Sequence, residues 1–344
     1  MKPFISVLIP VYNEEAIIKD CLDRITTYLT TYAEPCYKWE LVLVNDGSCD
    51  NTGAEADKYA MEHENIRVVH HQVNKNLGNA LRTGFKHAQG NYIIVFDLDL
   101  SYSPSHILRL AEEIIANDAD IVIASPYMKG GRTTGVPFLR KIVSKWSNKY
   151  FYYTNRQKIN TFTGMVRAYR SDFIKNLSLK SPDFEINAEI IFKAQILRAK
   201  IREIPAHLDW SYQNQHKMGR SSGINIKAGI PGGMFTGFIF RPYLFFFIPG
   251  TLFLIIFIYI TTWIFLNISR IYDQIVVTSH YFDDKFSAAV AEIFAQRPHS
   301  FLIGGFCFLS FLLFYGIGFL SLQNKRYFDE MFYLNTKANS FNRP

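Results

Sequence analysis

Residues 92–99 read YIIVFDLD, an apolar, β-branched run that ends abruptly in two carboxylates, Asp97 and Asp99. Such a run is typical of a strand buried on both faces, as in a parallel sheet that helices cover. Ligands of open α/β sheets bind at the carboxyl ends of the strands. Two carboxylates crowded at that end repel each other unless a cation neutralises them, and their oxygens suit Mg²⁺ or Mn²⁺. The pattern therefore indicates a metal–diphosphate site, and a strand running into a solvated acidic turn is the alternative.

The same succession of strand, polar turn and helix recurs through residues 1–215, which are long enough for one sizeable domain. This recurrence predicts an α/β domain with a mostly parallel, Rossmann-like sheet and helices on both faces. The polar turns then lie along one edge of the sheet and form one composite site. The predicted strands are Ser6–Pro10, Leu41–Val44, Ile66–His70, Tyr92–Phe96 and Asp120–Ala124, and the predicted helices include Ala16–Leu29, Thr52–His63 and Ser105–Asn117.

Two segments near the C-terminus, 242–267 and 301–322, contain no charged side chain. Each reaches the roughly 20 residues that a membrane-spanning helix requires. A hairpin of two transmembrane helices is the economical interpretation, and a hairpin buried in a soluble core is the alternative. We expect residues 216–241 to form an interfacial juxtamembrane segment, because basic side chains stand there among glycines and apolar groups.

The distribution of charge predicts an orientation in the membrane. The chain carries 37 Lys and Arg against 30 Asp and Glu. The N-terminal part and the tail 323–344 are net positive, whereas the segment 268–300 is net negative, so both termini are predicted to be cytosolic and 268–300 extracytosolic. The apolar run at the N-terminus is too short for a signal peptide. We therefore expect an integral protein of the bacterial inner membrane or an equivalent one, with its four cysteines as reduced thiols.

Four motifs in the N-terminal domain carry a family resemblance. They are Pro10-Val11-Tyr12-Asn13-Glu14-Glu15, Val44-Asn45-Asp46-Gly47-Ser48, Asn76-Leu77-Gly78 followed by Gly84, and Asp97-Leu98-Asp99. Their order and spacing resemble those of family 2 glycosyltransferases. With the apolar hairpin, the chain looks like the polyprenyl-phosphate branch, which includes dolichol-phosphate mannose synthases and bacterial polyprenyl-phosphate glycosyltransferases. The resemblance implies a GT-A fold, a nucleotide-sugar donor and inversion at the anomeric carbon.

The resemblance also implies roles for individual residues at the donor side. Asp97 and Asp99 would be catalytic metal ligands, and Ser101 stands where many relatives have a glutamine near the metal. From the residues alone, Asp46 with Gly47 fits a turn before a helix cap equally well. The matched donor-binding residues are Pro10, Tyr12, Glu14, Asp46, Asn76 and Gly78.

A lipid phosphate needs cations beside the membrane. The resemblance implies that Arg140 is catalytic as the bidentate partner of the acceptor phosphate. A basic face attracted to anionic lipid headgroups in general is the alternative. Glu185 and Glu189 match a further motif, and they would contact the sugar or an acceptor-side group or else form one solvated helix face. The acceptor-phosphate residues predicted in this way are Arg132, Arg140, Ser144, His216 and Arg220.

The activity that the resemblance implies is metal-dependent transfer of a hexose from a UDP- or GDP-hexose to a polyprenyl phosphate at the cytosolic face of a membrane. The expected cofactor is Mg²⁺ or Mn²⁺. The expected partners are the donor, the lipid acceptor and the membrane, with no nucleic acid, and a homo-oligomer stays open. A catalytically silent membrane scaffold is one alternative, and a processive polysaccharide synthase is the other, although its usual Gln-x-x-Arg-Trp motif does not occur in the chain.

Overall fold

The computed structural model of the protein describes residues 2–154, 157–211, 242–276 and 284–341. The chain forms two compact units. One unit comprises Met1–Gly233 together with Phe332–Pro344, and the other comprises Met234–Met331.

The described part of the first unit contains nine strands: β1 Phe4–Val11, β2 Lys38–Asn45, β3 Ile66–His70, β4 Tyr92–Val95, β5 Ile121–Ser125, β6 Arg132–Thr134, β7 Arg167–Arg170, β8 Ile201–Pro205 and β9 His207–Asp209. Seven of them form one sheet in the order β3-β2-β1-β4-β7-β5-β8, and β6 pairs with β9 separately. β1 to β4 run parallel, as do β5 and β8. β7 alone is antiparallel to both of its neighbours in this sheet.

Seven helices accompany these strands: α1 Ile18–Tyr28, extended by a π-helical turn Leu29–Ala33, α2 Thr52–Met61, α3 Leu77–His87, α4 Ser105–Ala116, α5 Phe138–Thr154, α6 Ser171–Asn176 and α7 Ile186–Ile196. Alternate side chains of β1 point to opposite faces of the sheet and contact different helices. Ile5, Val7 and Ile9 pack in one core with α1 and α4, whereas Leu8 on the other face contacts α3 at Gly84. The sheet is therefore covered on both sides, as its apolar strands require.

The predicted α/β architecture is confirmed, and all five predicted strands are present with ends within three residues of the prediction. β6, β7, β8 and β9 were not predicted from the sequence. Arg167 and Arg170 at the two ends of β7, and the adjacent Arg202 and Glu203 in β8, interrupt the apolar pattern on which strand prediction depends.

The second unit contains two helices long and apolar enough to cross a membrane. α8 (Pro242–Tyr272) includes the predicted span 242–267, and α10 (Pro298–Phe341), which belongs to the first unit from Phe332 onward, includes 301–322. Their most apolar windows have mean hydropathies of 2.4 and 2.1. The two helices pack through aromatic contacts such as Phe247 with Tyr315, whose ring centroids lie 5.1 Å apart.

Between the two long helices lies α9 (Asp284–Gln296), in the segment that was predicted to be extracytosolic. Ala289 and Ile293 of α9 pack against Ile268 of α8 in a small apolar cluster. All four cysteines of the chain are free thiols, as predicted.

Candidate functional site

Asp97, Asp99 and Ser101 lie in the loop that follows β4, at the carboxyl end of the parallel strands. Asp99 and Ser101 are only 7% and 4% exposed, and Asp97 is partly buried. The backbone N–H of Ser101 donates to Asp99 Oδ1 at 2.9 Å. Leu100 between them has a φ of +54°, which allows this tight turn. Ser101 thus holds Asp99 through its backbone, and a metal contact by its hydroxyl stays a prediction.

The two carboxylates influence each other electrostatically. Burial raises the pKa of Asp97 well above its ordinary value, the negative charge of Asp99 raises it further, and the nearby guanidinium of Arg140 opposes both effects. Burial also raises the pKa of Tyr102, and the charge of Asp97 adds to that shift. Crowding of this kind favours a cation beside the pair.

The donor set at this place fits Mg²⁺ or Mn²⁺. Both candidate ligands, Asp97 and Asp99, supply hard carboxylate oxygens, which these ions prefer. Among the described residues, no cluster of three or more His, Cys, Asp or Glu side chains could hold a metal ion. Two carboxylates still suffice for Mg²⁺, because this ion is commonly bound through one or two carboxylates, with waters and substrate phosphates as its other ligands.

Arg140 comes to the same place from the first turn of α5. Its guanidinium carbon lies 4.3 Å from the centroid of the Trp210 ring. Burial lowers the pKa of Arg140, and the charges of Tyr127, Asp99 and Asp97 oppose that effect. Within the described part of the chain, its buried Nη1 has no hydrogen-bond partner. A guanidinium held in this way can donate to a phosphate oxygen without first breaking a bond inside the protein at that nitrogen.

Ser144 lies one turn after Arg140 on the same helix. Its hydroxyl accepts a hydrogen bond from Tyr127 at 2.9 Å, and its backbone carbonyl accepts one from Asn148 Nδ2 at the same distance. Tyr127 is thus a neighbour of both predicted acceptor residues of α5, although the sequence analysis gave it no role.

The other predicted acceptor residues are placed differently. Arg132 belongs to β6, where its side chain is exposed and its backbone N–H donates to Ala206 O at 2.9 Å. The predictions for His216 and Arg220 lie outside the described residues.

α5 exposes large apolar side chains next to lysines. Phe138 is 75% exposed and Trp146 is 70% exposed, with Ile142 and Val143 between them also exposed. Lys141, Lys145 and Lys149 on the same helix are exposed as well. An apolar face edged by cations is typical of a helix that lies at a membrane surface.

The first two strands bring the nucleoside-side predictions together at the same edge of the sheet. Pro10 lies near the end of β1 opposite Val44 of β2, and Tyr12, just beyond, is 42% exposed. Glu14 is buried, and its backbone N–H donates to Thr52 Oγ1 at 2.7 Å. The turn before α1 is therefore held against the start of α2.

Asp46 follows β2 directly and is buried. Its backbone N–H donates to Val11 O, and its Oδ1 lies 2.6 Å from His71 Nδ1. Gly47 has a φ of +67°, and a Cβ there would lie 2.3 Å from the carbonyl carbon of Val73. Only glycine fits this position, because a side chain would be both strained and in collision with backbone. The turn that the sequence predicted after Asp46 is thus present, and it packs against the segment after β3.

Asn76 and Gly78 lie where α3 begins. Asn76 precedes the helix with a φ of +66°. A Cβ on Gly78 would lie 2.2 Å from Ser181 O, so the start of α3 touches the backbone of residues 178–182, which we call the supporting segment. Asn79 N donates to Pro182 O at 3.3 Å, and Arg82 Nη1 donates to Ser181 O at the same distance.

Glu189 holds the supporting segment from the other side. It is buried in α7 and accepts hydrogen bonds from the backbone N–H groups of Lys180 and Ser181, at 2.9 and 2.8 Å, and from Lys193 Nζ at 2.5 Å. Burial raises its pKa, but the bonds from Lys193 and the two amides outweigh burial, so that the pKa is lowered. For Glu189 the alternative of a solvated helix face is wrong, because the carboxylate lies inside the protein, and a contact with the sugar or an acceptor-side group stays a prediction. Glu185 is exposed.

Part of the C-terminal tail belongs to the first unit and lies beside α7. The ring centroid of Phe332 is 5.4 Å from Lys193 Nζ, and that of Tyr333 is 5.9 Å from the guanidinium carbon of Arg198. Tail residues therefore contact the helix that carries Glu189.

Comparison with known proteins found similar sequences and structures. The model of the family described as glycosyl transferase family 2 matches residues 6–177. The chain is 31% identical over 204 residues to a dolichol-phosphate mannosyltransferase of Pyrococcus furiosus, which covers 58% of this chain and 55% of that protein. It is 31% identical over 181 residues to a polyprenol monophosphomannose synthase of Mycolicibacterium smegmatis, with coverages of 52% and 65%.

A third relative is a dodecaprenyl-phosphate galacturonate synthase of Rhizobium johnstonii, 30% identical over 176 residues, with 51% of this chain and 50% of that protein covered. The matches thus span half to two thirds of the length of these three relatives. Among solved structures, glucosyl-3-phosphoglycerate synthase of Mycobacterium tuberculosis has a TM-score of 0.47 at 18% identity, and 60% of this chain and 69% of that chain are covered. The family match, together with the mostly parallel sheet that helices cover, identifies the fold as GT-A.

Proposed function

Since the chain belongs to glycosyltransferase family 2, we propose that it transfers one hexose from a UDP- or GDP-hexose to a polyprenyl phosphate, with inversion at the anomeric carbon. The observation that carries the proposal is the meeting of opposite charges at one sheet edge. Arg140, with a buried and unpaired Nη1 in the described part of the chain, lies within electrostatic reach of Asp97 and Asp99. The two carboxylates suit the donor diphosphate with its metal ion, and the guanidinium suits the acceptor phosphate.

The membrane side of the proposal is supported by α5 and by the two apolar helices. α5 carries Arg140 and Ser144 and exposes Phe138 and Trp146. A phosphate on a long isoprenoid chain stays at the membrane surface, so its cation partner must lie close to that surface. The same charge asymmetry that predicts cytosolic termini supports catalysis on the cytosolic leaflet, where nucleotide sugars are available.

The proposed reaction needs little proton transfer from the protein. A phosphate monoester has a second pKa of about 6, so the acceptor is mostly a dianion at neutral pH and is already nucleophilic. Its oxygen attacks the anomeric carbon as the bond to the nucleoside diphosphate breaks on the opposite face. No general base is required, in contrast to transfer to a hydroxyl group.

The residues of the chain then have distinct roles. Arg140 would bind the acceptor phosphate and orient it towards the sugar. Ser144 would add a hydroxyl beside that phosphate, held in place by Tyr127. Asp97 and Asp99 would hold a divalent ion, which when bound offsets the negative charge that grows on the departing diphosphate.

A donor panel tests the proposal directly. Purified full-length protein in lipid nanodiscs, with Mg²⁺ or Mn²⁺, is incubated with UDP- and GDP-sugars and polyprenyl phosphate, and the lipid products are identified by mass spectrometry. We expect a polyprenyl-phosphate monosaccharide from at least one donor. The unphosphorylated polyprenol is the matched control and should give no product. Failure of every donor, with protein that is folded by its melting curve, would contradict the proposed function.

A further inference from the structure

Asp46, His71 and Thr83 form a buried chain of hydrogen-bonding side chains beside the predicted donor loop. His71 Nδ1 lies 2.6 Å from Asp46 Oδ1, and His71 Nε2 lies 2.9 Å from Thr83 Oγ1. The His71 and Asp46 side chains are only 7% and 5% exposed. The three residues come from the ends of β2 and β3 and from α3, so that the chain joins three separate elements.

The partners decide which nitrogen of His71 carries the proton. A carboxylate only accepts hydrogen bonds, so Nδ1 must donate to Asp46 Oδ1. In a neutral imidazole the other nitrogen is then an acceptor, and Thr83 can donate its hydroxyl hydrogen to Nε2. Every polar atom of the imidazole is therefore satisfied, and the ring has one preferred orientation.

The same contacts leave Asp46 with one oxygen for a ligand. Oδ1 accepts a second bond from the backbone N–H of Lys75 at 2.9 Å, so this oxygen is fully used. Among the described residues, none donates a hydrogen bond to Oδ2. A carboxylate fixed by two bonds at one oxygen cannot rotate freely, so its second oxygen is presented in one direction.

We propose that His71 is a positioning residue that fixes Asp46 so that Oδ2 accepts an N–H or O–H group of the donor nucleoside. The inference rests on the proposed function, because it requires a nucleotide donor at this edge of the sheet. The loop after β3 runs from His71 to Asn76 and Gly78, and its Lys75 N–H donates to Asp46. A nucleoside held by Asp46 would therefore lie beside the start of α3. His71 acts through Asp46 and does not itself touch the donor.

Two substitutions at His71 separate this role from a purely structural one. The amide nitrogen of asparagine can take the place of Nδ1, whereas that of glutamine reaches the place of Nε2. His71→Asn therefore keeps the donor to Asp46 and loses the contact with Thr83, and His71→Gln does the reverse. If His71 only tied β3 to α3, the glutamine variant would be the milder one.

The experiment is titration calorimetry of UDP and GDP, each with Mg²⁺, on the full-length protein and its variants. We expect His71→Gln to weaken binding of the preferred nucleotide about tenfold, which is the loss of one hydrogen bond to a charged group. His71→Asn should stay within about threefold of the natural protein, and the KM for polyprenyl phosphate should not change in either variant. Thr83→Val, which also loses only the hydrogen bond to Nε2, should likewise stay within about threefold. His71→Leu, which removes the donor to Asp46, serves if the glutamine variant does not fold.

His70 is the matched control, because it is the neighbouring histidine and its Nε2 also lies 2.9 Å from a carboxylate, that of the exposed Asp57. His70→Gln should leave nucleotide affinity unchanged. Unchanged affinity in His71→Gln, equal losses in the asparagine and glutamine variants, or an equal loss in His70→Gln would overturn the inference. If neither nucleotide binds the natural protein, the proposed function fails, and this inference fails with it.

Discussion

Arg140 stacks on Trp210, with its guanidinium carbon 4.3 Å from the ring centroid, and this contact keeps its charge near Asp97 and Asp99. Trp210 is itself anchored, because its backbone N–H donates to Thr134 O at 3.0 Å and the preceding Asp209 N–H donates to Ser101 O at 2.8 Å. The loop after β4 and the helix α5 are therefore connected through one tryptophan.

Replacing Trp210 should weaken the acceptor side of the proposed reaction. A cation–π contact contributes about 0.5–2 kcal/mol, which corresponds to roughly 2- to 30-fold in affinity. We expect Trp210→Ala to raise the KM for polyprenyl phosphate by this factor and Trp210→Phe to have a smaller effect. Initial rates at varied acceptor and saturating donor provide the measurement. An unchanged acceptor KM together with a raised donor KM would contradict the assignment of Arg140 to the acceptor.

Asp97 should be costly for stability and essential for turnover. Asp97→Asn removes one of two like charges from a poorly solvated place, so we expect an equal or higher melting temperature in EDTA. We expect the rate to fall about 100- to 1000-fold, as when one electrostatic contact to a transition state is lost. Calorimetric melting and single-turnover assays measure the two effects. Glu64→Gln, at an exposed position before β3, is the control and should change neither. A variant that melts lower and retains its rate would contradict this role.

Gly78 should be required for donor binding because α3 contacts the supporting segment there. A Cβ at Gly78 would meet backbone 2.2 Å away, which cannot yield as a flexible side chain can. We expect Gly78→Ala to raise the donor KM at least tenfold. Gly84→Ala on the same helix is the control, since the nearest neighbours of its Cβ would be atoms of the Leu8 side chain, and it should lower the melting temperature without a comparable change in donor KM.

Glu189 should make stability depend on pH in the acidic range. Its folded-state pKa is lowered below the ordinary value of 4.5, so its contribution is fully present above about pH 4.5 and is lost as the pH falls through the lower, folded-state value. Glu189→Gln breaks the buried pair with Lys193 and should cost about 3 kcal/mol at neutral pH. The difference in melting temperature between the natural protein and this variant should therefore shrink on acidification. Exposed Glu185→Gln is the control, and a constant difference from pH 7 to 3 would contradict the assignment.

The sequence predicted which residues lie at the edge of the sheet, but it did not predict the side chains that hold them in place. The apolar runs before Asp46 and Asp97 are local signals, and the ends of parallel strands meet at one edge, so both carboxylates could be placed in advance. The partners of these residues come from distant segments. His71 lies 25 residues from Asp46 in the chain, and no spacing rule connects them. Glu185 and Glu189 have the i, i+4 spacing that is common on a solvated helix face. Glu189 is nevertheless buried, because it binds the backbone of Lys180 and Ser181, and the sequence gives no sign of that contact.

The antiparallel direction of strand β7 affects which part of the chain can change during evolution. β5 ends and β7 begins at the same edge, so residues 126–166, with α5 and its Arg140, leave the sheet and return to it at one place. That stretch is topologically an insert. It can differ in length or sequence without a change in the order of the strands that carry the proposed donor site, so related chains could differ in acceptor and keep the same donor.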